Sequence, residues 1–309
     1  MKRTFLSIAA VAVVLLAGCS EDKKPSVSGK PEVYTSIQPI AFLAAKIGGN
    51  NINVHALIPE GKNPHAYTPS PAEIKKLQNA KLFLRIGLPF EKQVLDKVLK
   101  SSNVKIIDVS AGIKRIPATA HHHHDDETKN AKDAQSPEEE ELLDPHIWLS
   151  PANDAVIAEN IKNALIQMDP AHKNNYEVNC ASLVRTLLAL DAKLKHSLAP
   201  MKGKTFFVYH PAFGYFAHQY GLKQEAVELE GKMPTPKHLE AVIKEAKADN
   251  VKIIFVQPQF NLKSAELIAT AINGKVVSLD PLSGNLIQNF NQIVNILTDA
   301  LKSTDKSKK

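Results

Sequence analysis

Short β-prone runs alternate with stretches of helical periodicity along most of this chain. Segments 32–37, 53–58, 82–86 and 104–109 read as strands in the first half, and 205–209, 252–256 and 275–279 in the second. Helix signals fall between them. Ser70-Pro71-Ala72-Glu73 joins an N-cap serine to a proline at the first helical position and a glutamate at the third. Gly48-Gly49 closes a helix that begins near Pro39, and further helices start near Pro211, Pro236, Ser264 and Asn285. Strands alternating with helices predict an α/β fold of parallel sheets flanked by helices, and the pattern runs twice. Two Rossmann-like lobes are expected, an N-terminal one over 32–168 and a C-terminal one over 200–303.

The connector between the lobes has a different pattern. Asp169-Pro170 signals a helix start, and no breaker follows until Pro200. Tyr176, Cys180, Leu183, Val184, Leu187, Leu188, Leu194 and Leu198 recur at helical spacing. One long backbone helix over 169–199 is expected, with about 29 residues spanning roughly 43 Å. It has no glycine pair to bend at, so a large hinge closure between the lobes is not expected.

The chain has 309 residues, 44% hydrophobic and 23% charged, and a formal charge of +6. These values exclude disorder, collagen and a multi-span membrane protein, and they give no reason to expect a nucleic-acid partner. The ends carry separate signals. Lys2 and Arg3 precede an apolar run over 5–16, and Leu16-Ala17-Gly18-Cys19 closes it. Residues 1–18 read as an export signal, too short in their apolar part to stay as a membrane span. The polar stretch 19–31 fits a tether, and 304–309 a basic, solvated tail. Segment 125–141 carries eight acids against two bases. The folded remainder is near charge balance and is expected to be monomeric, with a small ligand. Cys180 reads as a small buried hydrophobe.

Four places set a possible metal ligand beside a proline: Asn63-Pro64-His65, Asp144-Pro145-His146, His210-Pro211 and Asp280-Pro281. Proline narrows the directions open to its neighbours, which suits a ligand that must point one way. In an α/β fold such loops gather at the carboxyl edges of the sheets. Two places fall in each half, so a shared site would bridge the lobes. Spacing alone leaves them open as surface or hydrogen-bonded residues, since the gaps of 81, 64 and 70 residues are unlike those of a zinc finger. A second cluster, His121, His122, His123 and His124 followed by Asp125 and Asp126, suits loose binding of borderline cations within loop 119–141.

Longer motifs surround these places. Residues 61–71 read GKNPHAYTPSP, 144–151 DPHIWLSP, 209–216 YHPAFGYF and 279–282 LDPL. In order and spacing the chain resembles the zinc/manganese solute-binding lipoproteins of ABC importers, cluster A-I, zinc type. That resemblance implies a divalent metal held between two lobes, with His65, His146 and His210 as ligands and Asp280 or a water as the fourth. It implies delivery to an ABC transporter permease with its ATPase. It also implies lipidation of Cys19, which would hold the exported protein at the cell envelope, facing the periplasm or the cell exterior. His210 stands where manganese-selective members tend to carry a carboxylate, so Zn²⁺ is preferred over Mn²⁺ as cargo. Some zinc members place a glutamate before the first ligand, where this chain has Pro64. A zinc hydrolase is the distant alternative, with no HExxH, GxSxG or phosphate loop to support it. An adhesion lipoprotein is a further class. His55, His172, His196, His218 and His238 read as structural or solvated, Trp148 as a core plug beside His146, and Glu230-Gly231 as a family turn.

Overall fold

The structure, a computed structural model, describes residues 29–98, 102–118, 143–228, 234–260 and 262–306. Cys19, the cluster His121 to Asp126 and Glu230 lie outside the described residues, as do the export signal and most of the tether. No helix among those described is long and apolar enough to cross a membrane.

Each lobe is built on four parallel strands. The first sheet holds β1 (Glu32–Thr35), β2 (Asn53–Ala56), β3 (Leu82–Arg85) and β4 (Lys105–Asp108) in the order β2-β1-β3-β4. The second repeats it with β5 (Thr205–Val208), β6 (Lys223–Ala226), β7 (Ile253–Val256) and β8 (Lys275–Ser278) in the order β6-β5-β7-β8. Inner strands are buried on both faces, as Leu82-Phe83-Leu84 and Phe206-Phe207-Val208 show, whereas edge strand β2 alternates exposed and half-buried residues. In both sheets the chain leaves an inner strand for one edge and then crosses back to the other side. Each lobe therefore has a switch point, between β1 and β3 and between β5 and β7, where loops diverge and leave a crevice.

Seven of the eight strands coincide with expected segments. The exception is β6, whose sequence Lys-Gln-Glu-Ala has no β-prone residue. Pairing with β5 in register Thr205↔Lys223 makes it a strand; propensity does not.

The helices are α1 (Gln38–Gly48), α2 (Pro71–Gln78), α3 (Pro89–Val98), α4 (Pro151–Met168), α5 (Lys173–Leu198), α6 (Gly214–Tyr220), α7 (Pro236–Ala248), α8 (Lys263–Ala271) and α9 (Leu286–Lys306). The capping box of α2 forms as expected, with Ser70 accepting from the Glu73 backbone and Glu73 from the Ser70 backbone. Beyond α1, Gly49 has φ 54°, a left-handed value that favours glycine. The helix expected near Pro211 starts only at Gly214, because the Ala212 N–H turns back to the His210 carbonyl at 2.8 Å. His210 is thereby left in a loop.

The linking helix is α5, 26 residues and about 39 Å long, extended by single 3₁₀ turns at Pro170–His172 and Ala199–Met201. Asp169 ends α4, and its carboxylate accepts from the His172 ring and the Tyr176 hydroxyl. The buried stripe runs Tyr176, Cys180, Leu183, Leu187, Leu190, Leu194, Leu198. Leu188, expected in that stripe, is 51% exposed, and Leu190 takes its place. α5 packs on α1 and α4 of the first lobe and on α9 of the second. One continuous hydrophobic cluster therefore runs from Val33 and Phe83 through Leu187 to Phe216 and Phe290. A shared core of this kind resists shear and hinge motion between the lobes.

Candidate metal centre

Three of the four proline-flanked places fold as the same turn. Asn63 Oδ1 accepts the His65 backbone N–H at 2.9 Å, Asp144 Oδ1 the His146 N–H at 2.8 Å, and Asp280 Oδ1 the Leu282 N–H at 2.9 Å. In each, the first residue's side chain ties the third residue's peptide while proline fixes the backbone between them. The third side chain then points into the cleft, and His65, His146 and Leu282 all line it. His210 arrives by another route, from the end of β5. Buried Gln257, just past β7, clamps it from both sides: its Nε2 donates to the His210 carbonyl at 2.7 Å and its Oε1 accepts the His210 N–H at 3.1 Å.

These supports bring three imidazoles from two lobes to one point. His65 Nε2 lies 3.2 Å from His210 Nε2, which lies 3.1 Å from His146 Nε2, and all three sit within 4.8 Å of one another. The rings meet edge to face, at 66° for His65–His210 and 74° for His146–His210, so their in-plane lone pairs converge. A zinc ion with Zn–N bonds of about 2.0–2.1 Å sets tetrahedral ligand atoms about 3.3–3.4 Å apart, close to two of these separations.

The protonation pattern follows from the atoms behind the rings. His146 Nδ1 faces Asp144 Oδ1 at 2.8 Å, and His210 Nδ1 faces Glu228 Oε1; both carboxylates are 2% exposed. A carboxylate only accepts, so each Nδ1 carries the hydrogen and each Nε2 presents a bare lone pair. Two bare lone pairs 3.1 Å apart repel unless a cation lies between them. Burial and the two neighbouring imidazoles push His65 down to about 3, and burial, opposed by Glu228, lowers His210. Both rings are therefore neutral and ready to ligate at ordinary pH.

The surroundings are apolar and small. Pro64, Leu88, Trp148, Phe260, Pro281 and Leu282 line the imidazoles around a free volume of about 20 Å³, room for an ion, and a wider cavity of about 190 Å³ shares Pro64, His65 and Leu88 with it. Phe260 stacks on His210 at 4.8 Å. Trp148, 5.3 Å from His146, donates its indole N–H to the Pro281 carbonyl of the other lobe at 2.7 Å. It is the core plug expected, and it ties the lobes together as well.

Asp280 stands outside the histidine trio; its Oδ1 is bonded to the Leu282 N–H and to Gln259 Nε2. The other histidines among the described residues stay apart from the centre. His55 pairs with Glu32, His172 with Asp169, His238 is buried on the Val227 carbonyl, and His196 and His218 are exposed. Glu228, Gln257 and Gln259 escaped the sequence reading because no motif marks them, although each lies within three residues of a strand's carboxyl end, where such groups gather. Pro117 and Leu143 form an antiparallel bridge, and the Asp144 N–H donates to the Ile116 carbonyl, so the described residues on either side of 119–142 lie beside Asp144.

Residues 33–304 match the family described as ZnuA, zinc-uptake complex component A, periplasmic. The zinc-binding protein AdcA of Streptococcus pyogenes serotype M3 is 29% identical over 290 residues, which cover 92% of this chain and 56% of that protein. The chain thus spans little more than half the length of that relative. A metal ABC transporter substrate-binding lipoprotein of Lactococcus lactis subsp. lactis is 30% identical over 269 residues, 82% of this chain and 79% of the relative. A crystal structure of a ZnuA deletion mutant with zinc bound superposes with a TM-score of 0.78 at 32% identity, covering 88% of this chain and 98% of that one. With a family match over nearly the whole folded region and the same two-lobed architecture, this chain belongs to the ZnuA family of zinc-uptake components.

Proposed function

We propose that this protein captures Zn²⁺ in the interlobe cleft and hands it to the permease of an ABC importer driven by its ATPase. The observation that carries this reading is the pair of converging Nε2 lone pairs, each backed by a buried carboxylate on Nδ1. Carboxylate–histidine pairs of this kind fix the tautomer and raise the ligand's basicity. His65, His146 and His210 are the protein ligands, with Asp280 beside them. Three imidazoles favour zinc over the harder, oxygen-preferring manganese, and the zinc-binding relatives support the same choice. The carboxylates nearest the site are engaged as supports for the ligands, Asp144 on His146 and Glu228 on His210, a role that suits holding an ion better than hydrolysis.

His121, His122, His123, His124, Asp125 and Asp126 form a weaker, secondary capture loop. Cys19 anchors the mature protein by lipid, with the folded lobes facing the periplasm or cell exterior. The periplasmic and lipoprotein descriptions of the family and its relatives support that location.

Elemental analysis and titration calorimetry of wild type and His146→Ala test the core of the reading. One zinc per chain is expected in the wild type and a loss of at least about 100-fold in affinity in the variant. The emission of Trp148, the only tryptophan, reports occupancy independently. A wild type without stoichiometric zinc, or a variant that binds as tightly, refutes the cleft as the site.

A further inference from the structure

Every strand of the second sheet starts on a lysine or directly after one. Lys223 and Lys275 are the first residues of β6 and β8, and Lys204 and Lys252 immediately precede β5 and β7. The Lys223 N–H donates to the Lys204 carbonyl and the Lys275 N–H to the Lys252 carbonyl, both at 2.9 Å, so these lysines stand abreast along one edge. In the order β6-β5-β7-β8 the row spans about 14 Å at the usual strand spacing. Lys202 joins it through the turn before β5, where the Gly203 N–H meets the Gly221 carbonyl. Lys302 joins it near the end of α9, where Lys204 Nζ reaches the Leu301 carbonyl. Lys202, Lys223, Lys275 and Lys302 are exposed and form no ion pair among the described residues. Acids interrupt this face at Glu225, Asp249 and Asp299, and Lys247 beside Asp249 offsets one of them.

The fold does not require such a row. The first sheet has the same topology, yet its strands start at Glu32, Asn53, Leu82 and Lys105, with Lys81 before Leu82. There Glu32 accepts from Asn53 and pairs with His55, so the equivalent edge mixes its charges. Neighbouring like charges repel, and a row of lysines lowers stability unless an anionic surface faces it.

The position of the row points to its partner. Strand starts lie opposite the carboxyl edges that build the metal centre, so the lysines face away from the cleft. The linking helix runs from the strand-start edge of the first lobe, where Lys105 Nζ meets Gln167 Oε1 at the end of α4, to that of the second, at Met201 and Lys202. The two edges are thus the two ends of the molecule. The chain enters β1 at the first of them, and the residues between Cys19 and Glu32 reach at most roughly 45 Å when extended. A molecule lying lengthwise can therefore touch a bilayer that holds Cys19 with its second end as well.

We infer that the lysine row of the second lobe docks on anionic phospholipid headgroups, a second point of attachment besides the Cys19 lipid, with the metal centre between the two. Flexible point charges on an open edge match a fluid layer of phosphates, where no fixed ligand geometry has to be met. Each lysine close to such a surface raises affinity about fivefold.

The choice of partner rests on the proposed envelope location, and the test is independent of the anchor. Residues 19–309, made without the export signal so that Cys19 stays unmodified, contain both lobes whole. This chain is sedimented with vesicles of phosphatidylcholine alone or with about one third phosphatidylglycerol, at about 0.05 M and about 0.3 M salt. At low salt, binding to the anionic vesicles is expected to exceed that to the neutral ones at least about 10-fold, and high salt is expected to remove most of it. A triple variant, Lys202→Gln, Lys223→Gln and Lys275→Gln, is expected to lose roughly 100-fold. A second triple variant, Lys46→Gln, Lys75→Gln and Lys76→Gln, makes the same charge change on exposed lysines of the first lobe and is expected to lose less than about 3-fold. Zinc affinity and melting temperature, unchanged in both variants, report that they fold. No binding of the wild type to anionic vesicles, binding that ignores lipid charge or salt, or equal losses in the two variants overturns the inference. A short DNA duplex bound more tightly than the anionic vesicles makes the row a general polyanion site and overturns the lipid assignment. Cell fractionation checks the location separately: a cytosolic chain that still binds the vesicles removes the envelope reading and leaves the surface standing.

Discussion

Gly214 opens α6 in the second lobe and lies directly against Asp144, the carboxylate that holds His146 in the first. A methyl group at Gly214 would overlap Asp144 Oδ2 and sit 3.4 Å from its Cγ and 3.7 Å from Ile116 Cδ1. The helix backbone cannot give way easily, so the carboxylate must swing by about 1 Å to restore van der Waals distance. That swing breaks two bonds at once, because Asp144 Oδ1 accepts both the His146 backbone N–H and its Nδ1–H at 2.8 Å. Loss of a carboxylate behind a metal-ligating histidine weakens binding about 10–100-fold, or roughly 1.4–2.8 kcal/mol. Helix propensity works the other way, since alanine is favoured over glycine by up to about 1 kcal/mol in a helix. Gly214→Ala is therefore expected to weaken zinc binding while its metal-free melting temperature stays close to wild type. Titration calorimetry against a competing chelator and scanning calorimetry of the metal-free protein measure the two quantities. An unchanged zinc affinity in a normally folded variant would show that Asp144 does not orient His146 and would remove the physical basis given for the site.

Two further outcomes concern groups away from the metal. Asp154 lies in the first turn of α4, wholly buried, with both oxygens lacking hydrogen-bond partners, and burial raises its pKa well above the usual carboxylate range. A carboxyl raised in the folded state is harmless below its unfolded value, about 3.9, and costs stability progressively as pH climbs past it. Asp154→Asn should gain about 2–4 °C in melting temperature over wild type at pH 7 and nothing near pH 4, by scanning calorimetry at both; no gain at pH 7 refutes this. Cys180 is fully buried on α5, and burial pushes its thiol up to about 12, so iodoacetamide at pH 8 should modify it only after unfolding. Peptide mass mapping checks this, and labelling of Cys180 within minutes in the native protein would contradict the packing of α5.

What the amino-acid sequence determined by itself is what neighbours within a few residues decide. The Ser70–Glu73 capping box, the end of α1 at Gly48-Gly49, the long apolar stripe of α5 and seven strands are local matters of propensity, capping and periodicity. The proline-flanked turns belong here too, because an Asx side chain and a proline fix the direction of the third residue without outside help. Tertiary structure decided everything that depends on distant segments. Lys223–Ala226 is a strand only because β5 offers it an edge, and Leu190 is buried in place of Leu188 because of where α1, α4 and α9 press on the linking helix. Which atoms meet at the centre is a matter of the same kind. His65 and His210 are 145 residues apart, and Glu228 and Gln257 reach His210 from loops after different strands. Sheet order and lobe packing bring such groups together, and hydrogen bonds across those distances leave no periodic mark in the chain. Asp280 illustrates the difference: its motif is visible in the sequence, but only the packed structure shows its carboxylate turned to Leu282 and Gln259 and away from the three imidazoles.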